Sequence, residues 1–393
     1  MTGLLLYGDT ERSAALRHEV PLAIMDPFLF AQVDGRRVVL TTLLERERIA
    51  AVLPDVELLD MFELGMSDLI TRDGLRREDA VREVVARAVQ QIGVREAIVP
   101  GDFPVAVADR LRADGVKLTV DDAAVEHRRR AKTPEELEGV RRAQRAAEAG
   151  MAAAAALLAR AEPGADGRLH LDGAELRAEQ VRAALREACA EHGAACPPDV
   201  IVASVWNGTG HEPGSGPLPA GLPIQIDLWP RDEETACWAD MTRTFVVGEP
   251  APEHAELIAA QEELVRAALE DARAAARPGV TGRELYDATC DRFEAAGFRT
   301  QRTGPAPDDR AEGFQFALGH GVGLDVHEAP GLGLAGRDPL VPGDVLAVEP
   351  GLWDRRIGGV RYEDLLLVTD DGCETLTSYA YELTPTQGGV HAG

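Results

Sequence analysis

Residues 319–328 read GHGVGLDVHE, and the rest of the chain takes its meaning from this stretch. Glycines at 319, 321 and 323 surround His320, so the backbone there can approach its neighbours closely and adopt dihedrals closed to other residues. His327 follows seven residues later, with Glu328 beside it. Alone, a histidine in so permissive a backbone is a loop residue. Its surroundings change that reading. Downstream, 345–351 runs Val-Leu-Ala-Val-Glu-Pro-Gly: Val345, Ala347 and Glu349 share one face by the two-residue period of a strand, and Pro350 ends it. In 359–365, Arg361 and Glu363 share a face by the same rule. Upstream, Asp227 lies in the apolar strand 224–228, where a carboxylate needs a partner. Asp240, Thr242 and Thr244 share a face in 239–245, so Asp227 and Asp240 are expected to face each other across a hairpin.

Four carboxylates and an imidazole are too many like charges to bury bare, because in a low-dielectric site they repel and take up protons. Two divalent cations would cancel the four charges. Oxygen-rich ligation with a single histidine favours Mn²⁺, Fe²⁺ or Co²⁺ over a thiolate zinc site. Two metals about 4 Å apart can share a hydroxide and clamp a tetrahedral intermediate. Each piece alone is a common turn or strand-end feature. The ordered set is specific.

The chain has 393 residues, which suits two domains. Residues 1–125 alternate short strands (3–7, 28–33, 37–41, 56–60, 96–99, 117–120) with helical stretches near 76–92 and 103–113, a small α/β domain. The basic run 127–132 reads as a solvated segment, and 126–132 as a linker. At Thr133-Pro134-Glu135-Glu136 a capping box with proline at the first helical position starts a helix to about 160. Further helices are expected at 172–193, 253–276 and 281–297, and strands at 224–228, 238–247, 314–318, 345–349 and 360–368. Helices and strands come in blocks, so 133–393 is expected to be an α+β domain, with 388–393 frayed.

Forty-one basic residues against 67 acidic give a net charge of −26. Such a surface repels nucleic-acid backbones and anionic membranes. No run approaches the length of a membrane span, and the amino-terminal stretch lacks the basic flank of a secretory signal. The five cysteines form no CxxC pair, so reduced thiols, buried as small apolar residues, and a cytoplasmic location are expected.

The order Asp, Asp-x-Thr, Gly-His-Gly-x-Gly-x-x-x-His-Glu, Val-Glu-Pro-Gly, Arg-x-Glu-Asp resembles the metallopeptidase family of methionine aminopeptidases, aminopeptidase P and prolidase. The resemblance covers roughly 130–385 and implies a pita-bread catalytic domain. Residues 1–125 resemble the creatinase-type amino-terminal domain of the aminopeptidase P and prolidase branch. The segment from Arg130 to Leu137 is similar to the start of that branch's catalytic domain. The branch implies hydrolysis of the bond between an N-terminal residue and proline by a metal-bridging hydroxide, on small peptides, by a homodimer. It implies two divalent ions, Mn²⁺ first, with Co²⁺, Fe²⁺ or Zn²⁺ as alternatives.

By the same resemblance, Asp227 chelates one metal, Asp240 and Glu363 bridge both, and His320 and Glu349 hold the other. Glu349 also transfers protons. His327 contacts the substrate carbonyl and its developing oxyanion, His211 contacts substrate near the scissile bond, and Thr242 orients a ligand or the hydroxide. Arg361 anchors a ligand or a substrate carboxylate. Three departures bear on the substrate. Asp227 and Asp240 are 13 positions apart, longer than usual, so 229–238 reads as a lengthened hairpin loop. Gly210 stands where proline is usual, and Val205-Trp206 where small residues are common. The alternatives are another small-molecule reaction on the same site, such as a lyase or an amidinohydrolase, and a non-catalytic binding protein. Amidinohydrolases and binding relatives of the fold lose metal ligands, and all five ligand positions are kept here.

Overall fold

Thr133 caps the 27-residue helix Pro134–Arg160: its hydroxyl accepts from the Glu136 amide while the Glu136 carboxylate accepts from the Thr133 amide. The same reciprocal box at Thr281 and Glu284 starts Gly282–Ala295. Each cap stabilises by about 1 kcal/mol and fixes where its helix begins. In this computed structural model, which describes residues 2–208, 211–306 and 311–386, the chain forms two compact units that divide between Arg129 and Arg130. Gly210 and the run 388–393 lie outside the described residues.

The first unit is a six-stranded mixed sheet in the order Glu57–Asp60, Arg36–Thr41, Phe28–Val33, Gly3–Gly8, Glu96–Val99, Lys117–Val120. The helices Arg77–Ile92 and Val105–Ala113 pack their apolar residues, Val84, Val85, Val89 and Leu111 among them, into its core. The strands and both helices expected from the pattern are present. The short helices Ala14–Glu19, Leu43–Val52 and Met66–Thr71 are additions. Leu43–Val52 buries only Ile49, too little apolar periodicity to be read from sequence.

In the second unit, Ile201–Ser204, Ile224–Leu228 and Met241–Phe245 form one antiparallel sheet. A second runs Glu328–Leu332, Gly319–Gly321, Val345–Val348, Asp364–Val368, Cys373–Thr375. Gly351–Asp354 and Gly358–Arg361 make a separate hairpin. Pro134–Arg160 and Ala178–Glu191 cross at Gly150, where a Cβ would lie 2.7 Å from the Cys189 sulfur. The cysteines are free; four are buried and Cys373 is half-buried. No helix among the described residues is long and apolar enough to cross a membrane.

Four expectations need correction. The helix expected at 172–193 begins only at Ala178, because Asp172 and Gly173 take positive φ (52° and 81°) and turn a small hairpin instead. The strand expected at 314–318 is not one: Phe314 and Leu318 are fully buried, but their backbone is irregular, and the strand is Gly319–Gly321. The stretch 360–368 breaks at Tyr362-Glu363, and its halves belong to different sheets. The basic run is not fully solvated. Arg130 is buried against Asp344, with Nη2–Oδ2 at 2.6 Å, and Lys132 is buried against Glu328.

Gly319 pairs with Val348 and sits so close to the Ala347 carbonyl oxygen that a Cβ would overlap it. The obstacle is backbone and cannot swing away. Gly319→Ala is expected to cost about 2–3 kcal/mol, read as a lower urea midpoint at an unchanged slope.

Candidate metal centre

The three-stranded sheet brings the first carboxylates together. Asp227 pairs across the ladder with Thr242, and Leu228 with Met241. The residue directly opposite Asp227 is therefore Thr242, and Asp240 is its diagonal neighbour on the same face. The lengthened loop between the aspartates is a built turn. Arg231–Asp232 pairs with Ala194–Ala195, and Arg142 grips the Asp232 carboxylate with two hydrogen bonds of 2.9 Å.

The second sheet supplies His320, opposite Ala347, and Glu349 one residue past Val345–Val348. Glu363 occupies the break between Gly358–Arg361 and Asp364–Val368. It is tied to the first sheet twice: its amide donates to the Thr242 carbonyl at 3.1 Å, and its Oε2 accepts from the Thr242 hydroxyl at 2.7 Å.

These residues line one cavity of about 380 Å³, which contains Asp227, Asp240, His320, Glu349, Glu363, His211, His327 and Arg361. His320 Nε2 lies 3.7 Å from both Asp240 Oδ2 and Glu349 Oε1. The His320 and His327 rings meet edge to face at 4.2 Å. His320 Nδ1 is 3.1 Å from the Gly321 carbonyl, a partner that would leave Nε2 free to act as a ligand atom. Arg361 contacts Asp227 through Nη2 and Glu349 through Nη1, the latter at 3.4 Å.

Burial, then the charges of Glu363, Asp227 and Glu349, holds the Asp240 carboxyl well above the usual carboxylate range. Burial, then Glu349 and Asp227, does the same to Glu363. Burial pushes Glu349 up to about 7 against the opposing pull of Arg361. Burial lowers both His320 and His327, which favours neutral imidazoles. Four carboxylates facing one guanidinium are thus short of positive charge. Among the described residues Asp227 Oδ1 is buried with no hydrogen-bond partner, an acceptor that a cation would satisfy. Asp240, His320 and Glu363 offer ligand atoms within 4.8 Å of one another. This donor set fits hard or borderline divalent ions.

The remaining wall is largely apolar. Phe316, Leu352, Trp353 and Val360, with Trp229, Ile201 and Pro213, line the cavity together with Asp199 and Gln225. Phe316, Leu352, Asp199 and Gln225 carried no signal in the sequence. Trp206 is 48% exposed, and the Trp238 indole donates to the Leu324 carbonyl at 3.2 Å beside the His327 loop.

A cavity of carboxylates and histidines between two sheets, on an α+β fold, is of a kind that can hold divalent ions. The sequence pattern of metallopeptidase family M24 matches residues 138–370, and the chain belongs to that family. It is 37% identical over 145 residues to an Xaa-Pro dipeptidase of Pyrococcus horikoshii and 37% identical over 146 residues to a probable dipeptidase of Mycobacterium tuberculosis. These alignments take in 37% of the chain, and 37% and 34% of the two relatives. The fold match is far longer. The Pyrococcus horikoshii prolidase structure superposes with a TM-score of 0.74 at 22% identity, over 98% of this chain and 95% of that one. An Xaa-Pro dipeptidase from Bacillus anthracis gives 0.74 at 24% identity, over 97% and 94%.

Proposed function

We propose that this protein is a dinuclear metallopeptidase that cleaves the bond between an N-terminal residue and a following proline. The observation that carries the reading is the convergence of Asp227, Asp240, His320, Glu349 and Glu363 with His211 and His327 around one cavity. The names of the relatives, Xaa-Pro dipeptidase and prolidase, support the substrate class. Asp240 and Glu363 would bridge two ions, Asp227 would hold one, and His320 and Glu349 the other, with Mn²⁺ the first candidate. Bound there, the ions would supply Lewis acidity and a water acidified toward neutral pH.

The chain's own residues do the rest. Glu349, one residue past the strand Val345–Val348 and on the cavity wall, is placed to take a proton from the attacking water and give it to the proline nitrogen. That nitrogen belongs to a tertiary amide and offers no N–H of its own. His327, beside His320, donates to the oxyanion that forms on the scissile carbonyl. Exposed at the cavity, His211 contacts the substrate close to that bond. Arg361 holds Asp227 and Glu349 in place through its two contacts. The half-buried rings of Trp229, Phe316 and Trp353 offer an apolar surface to the substrate.

The test of substrate class is cleavage of Xaa-Pro, Xaa-Pro-Pro and Xaa-Ala-Pro peptides by Mn²⁺-loaded protein, with products identified by mass spectrometry. Release of the first residue from the first two alone is the expected result. Equal cleavage of Xaa-Ala-Pro would remove proline from the reading.

A second expectation concerns pH. Asp240, Glu363 and Glu349 have raised carboxyls in the metal-free fold, against about 4 in the unfolded chain. Their contribution to stability is complete below pH ~4 and is lost as pH rises through the raised carboxyl range, which for Glu349 lies at about 7. Metal binding displaces those protons, so the rise in melting temperature on adding Mn²⁺ should grow from pH 5 to pH 8. A shift independent of pH would contradict it.

A further inference from the structure

Arg243 lies on the strand Met241–Phe245 between Thr242 and Thr244, on the opposite face from both. It is 1% exposed and is the largest fully buried side chain of the described residues. All five guanidinium donors are used. Nε donates to the Ala380 carbonyl at 2.9 Å. Nη1 donates to the carbonyls of Thr242 and Glu363, both at 2.8 Å. Nη2 donates to Asp364 Oδ1 and to the Tyr379 carbonyl, both at 2.9 Å. Its charge is balanced by the equally buried Asp364, whose other oxygen accepts from the Tyr381 hydroxyl. The rings of Tyr381 and Tyr379 flank it at 4.6 and 5.8 Å.

The pair on Nη1 is the informative one. Thr242 and Glu363 are 121 residues apart in sequence and already share a side-chain and a backbone hydrogen bond. One guanidinium nitrogen gripping both carbonyls adds a third tie. Asp240 is two residues before Thr242, just ahead of the strand Met241–Phe245. Arg243 thus ties together, from behind, the backbone of Glu363 and of the segment that follows Asp240.

We propose that Arg243 is a positioning residue that fixes the spacing of the two bridging carboxylates, and with it the binding of the second metal ion. This inference rests on the two-metal reading above. Only a planar fork can reach two carbonyls from one nitrogen while keeping three other partners. An ammonium on a flexible stem cannot, so Arg243→Lys is not a conservative change here. The grip on the carbonyls and the pairing with Asp364 are separable. Asp364→Asn removes the charge partner and leaves Nη1 on its carbonyls.

The experiment is a Mn²⁺ titration of the full chain followed by equilibrium dialysis and by electron paramagnetic resonance. The resonance distinguishes an exchange-coupled Mn²⁺ pair from isolated ions. Wild type is expected to bind two ions and show the coupled signal. Arg243→Lys should bind its second ion about tenfold to a hundredfold more weakly and show the isolated six-line signal. Asp364→Asn should melt lower yet keep the coupled signal. If Arg243→Lys does not fold, Arg243→Met with Asp364→Leu removes the pair without stranding a buried charge, and it too should lose the coupled signal. A folded Arg243 variant with wild-type second-ion affinity overturns the proposal. So does an Asp364→Asn protein that loses the second ion as Arg243→Lys does. A wild type that never binds a second ion overturns the two-metal reading itself, a result visible without any variant.

Discussion

Asp240→Asn is expected to lower kcat/KM for an Xaa-Pro peptide by at least ~10³, a loss of about 4 kcal/mol of transition-state stabilisation. The carboxylate is buried beside Glu363, within ion-pairing distance of His320, and in the field of Asp227 and Glu349. An amide keeps its size and shape but carries no charge and cannot bridge two cations as an anion. Metal content should fall from about two ions per chain toward one. The same change should make the metal-free protein more stable at pH 8. Burial and three neighbouring carboxylates oppose ionisation of Asp240, and asparagine has nothing to ionise. Lower activity, less metal and a higher melting point in chelator form a combined signature that a simple folding defect would not produce. Unchanged metal content with activity within tenfold of wild type would remove Asp240 from the centre.

Glu349→Gln is expected to lower kcat by ~10²–10⁴, with KM changing far less. Glutamine retains an oxygen that can face a cation but cannot carry a proton between water and a leaving nitrogen. The loss in kcat should therefore exceed the loss in bound metal, the reverse of the balance expected for Asp240→Asn. A variant that loses metal and kcat in equal measure would make Glu349 a ligand and nothing more.

Much of this centre was legible in the sequence because its residues stand out by type. A carboxylate in an apolar strand at Asp227, a histidine among glycines at His320 and a glutamate before Pro-Gly at Glu349 are each costly without a partner, and their order is specific. Strand pattern did less. The two-residue period ran from Asp240 through Thr242, although the strand begins only at Met241, and it joined Arg361 to Glu363 across a break between two sheets. It assigned a strand to 314–318 because Phe314, Phe316 and Leu318 recur at every second position, although the backbone there is irregular. Glycines have no strand propensity, so Gly319–Gly321 went unseen as a strand even while its histidine drew attention.

Residues that act through distant backbone were not legible at all. Arg243 reads as an ordinary strand residue, because four of its five partners are carbonyl oxygens and most of them lie more than 100 positions away. Phe316 and Trp353 likewise become cavity wall only through the fold. Arg130 and Lys132 looked like part of a solvated basic run, yet each is buried against a carboxylate about 200 positions downstream.

Under the proposed function, this cavity hydrolyses an Xaa-Pro bond only when divalent metal is bound. The most direct measurement is release of the N-terminal amino acid from an Xaa-Pro peptide by metal-stripped protein, as Mn²⁺ is added back. No release before addition, and activity that saturates near two ions per chain, is the predicted result. Hydrolysis that persists in chelator, or a folded, Mn²⁺-loaded protein that leaves the peptide intact, would contradict it.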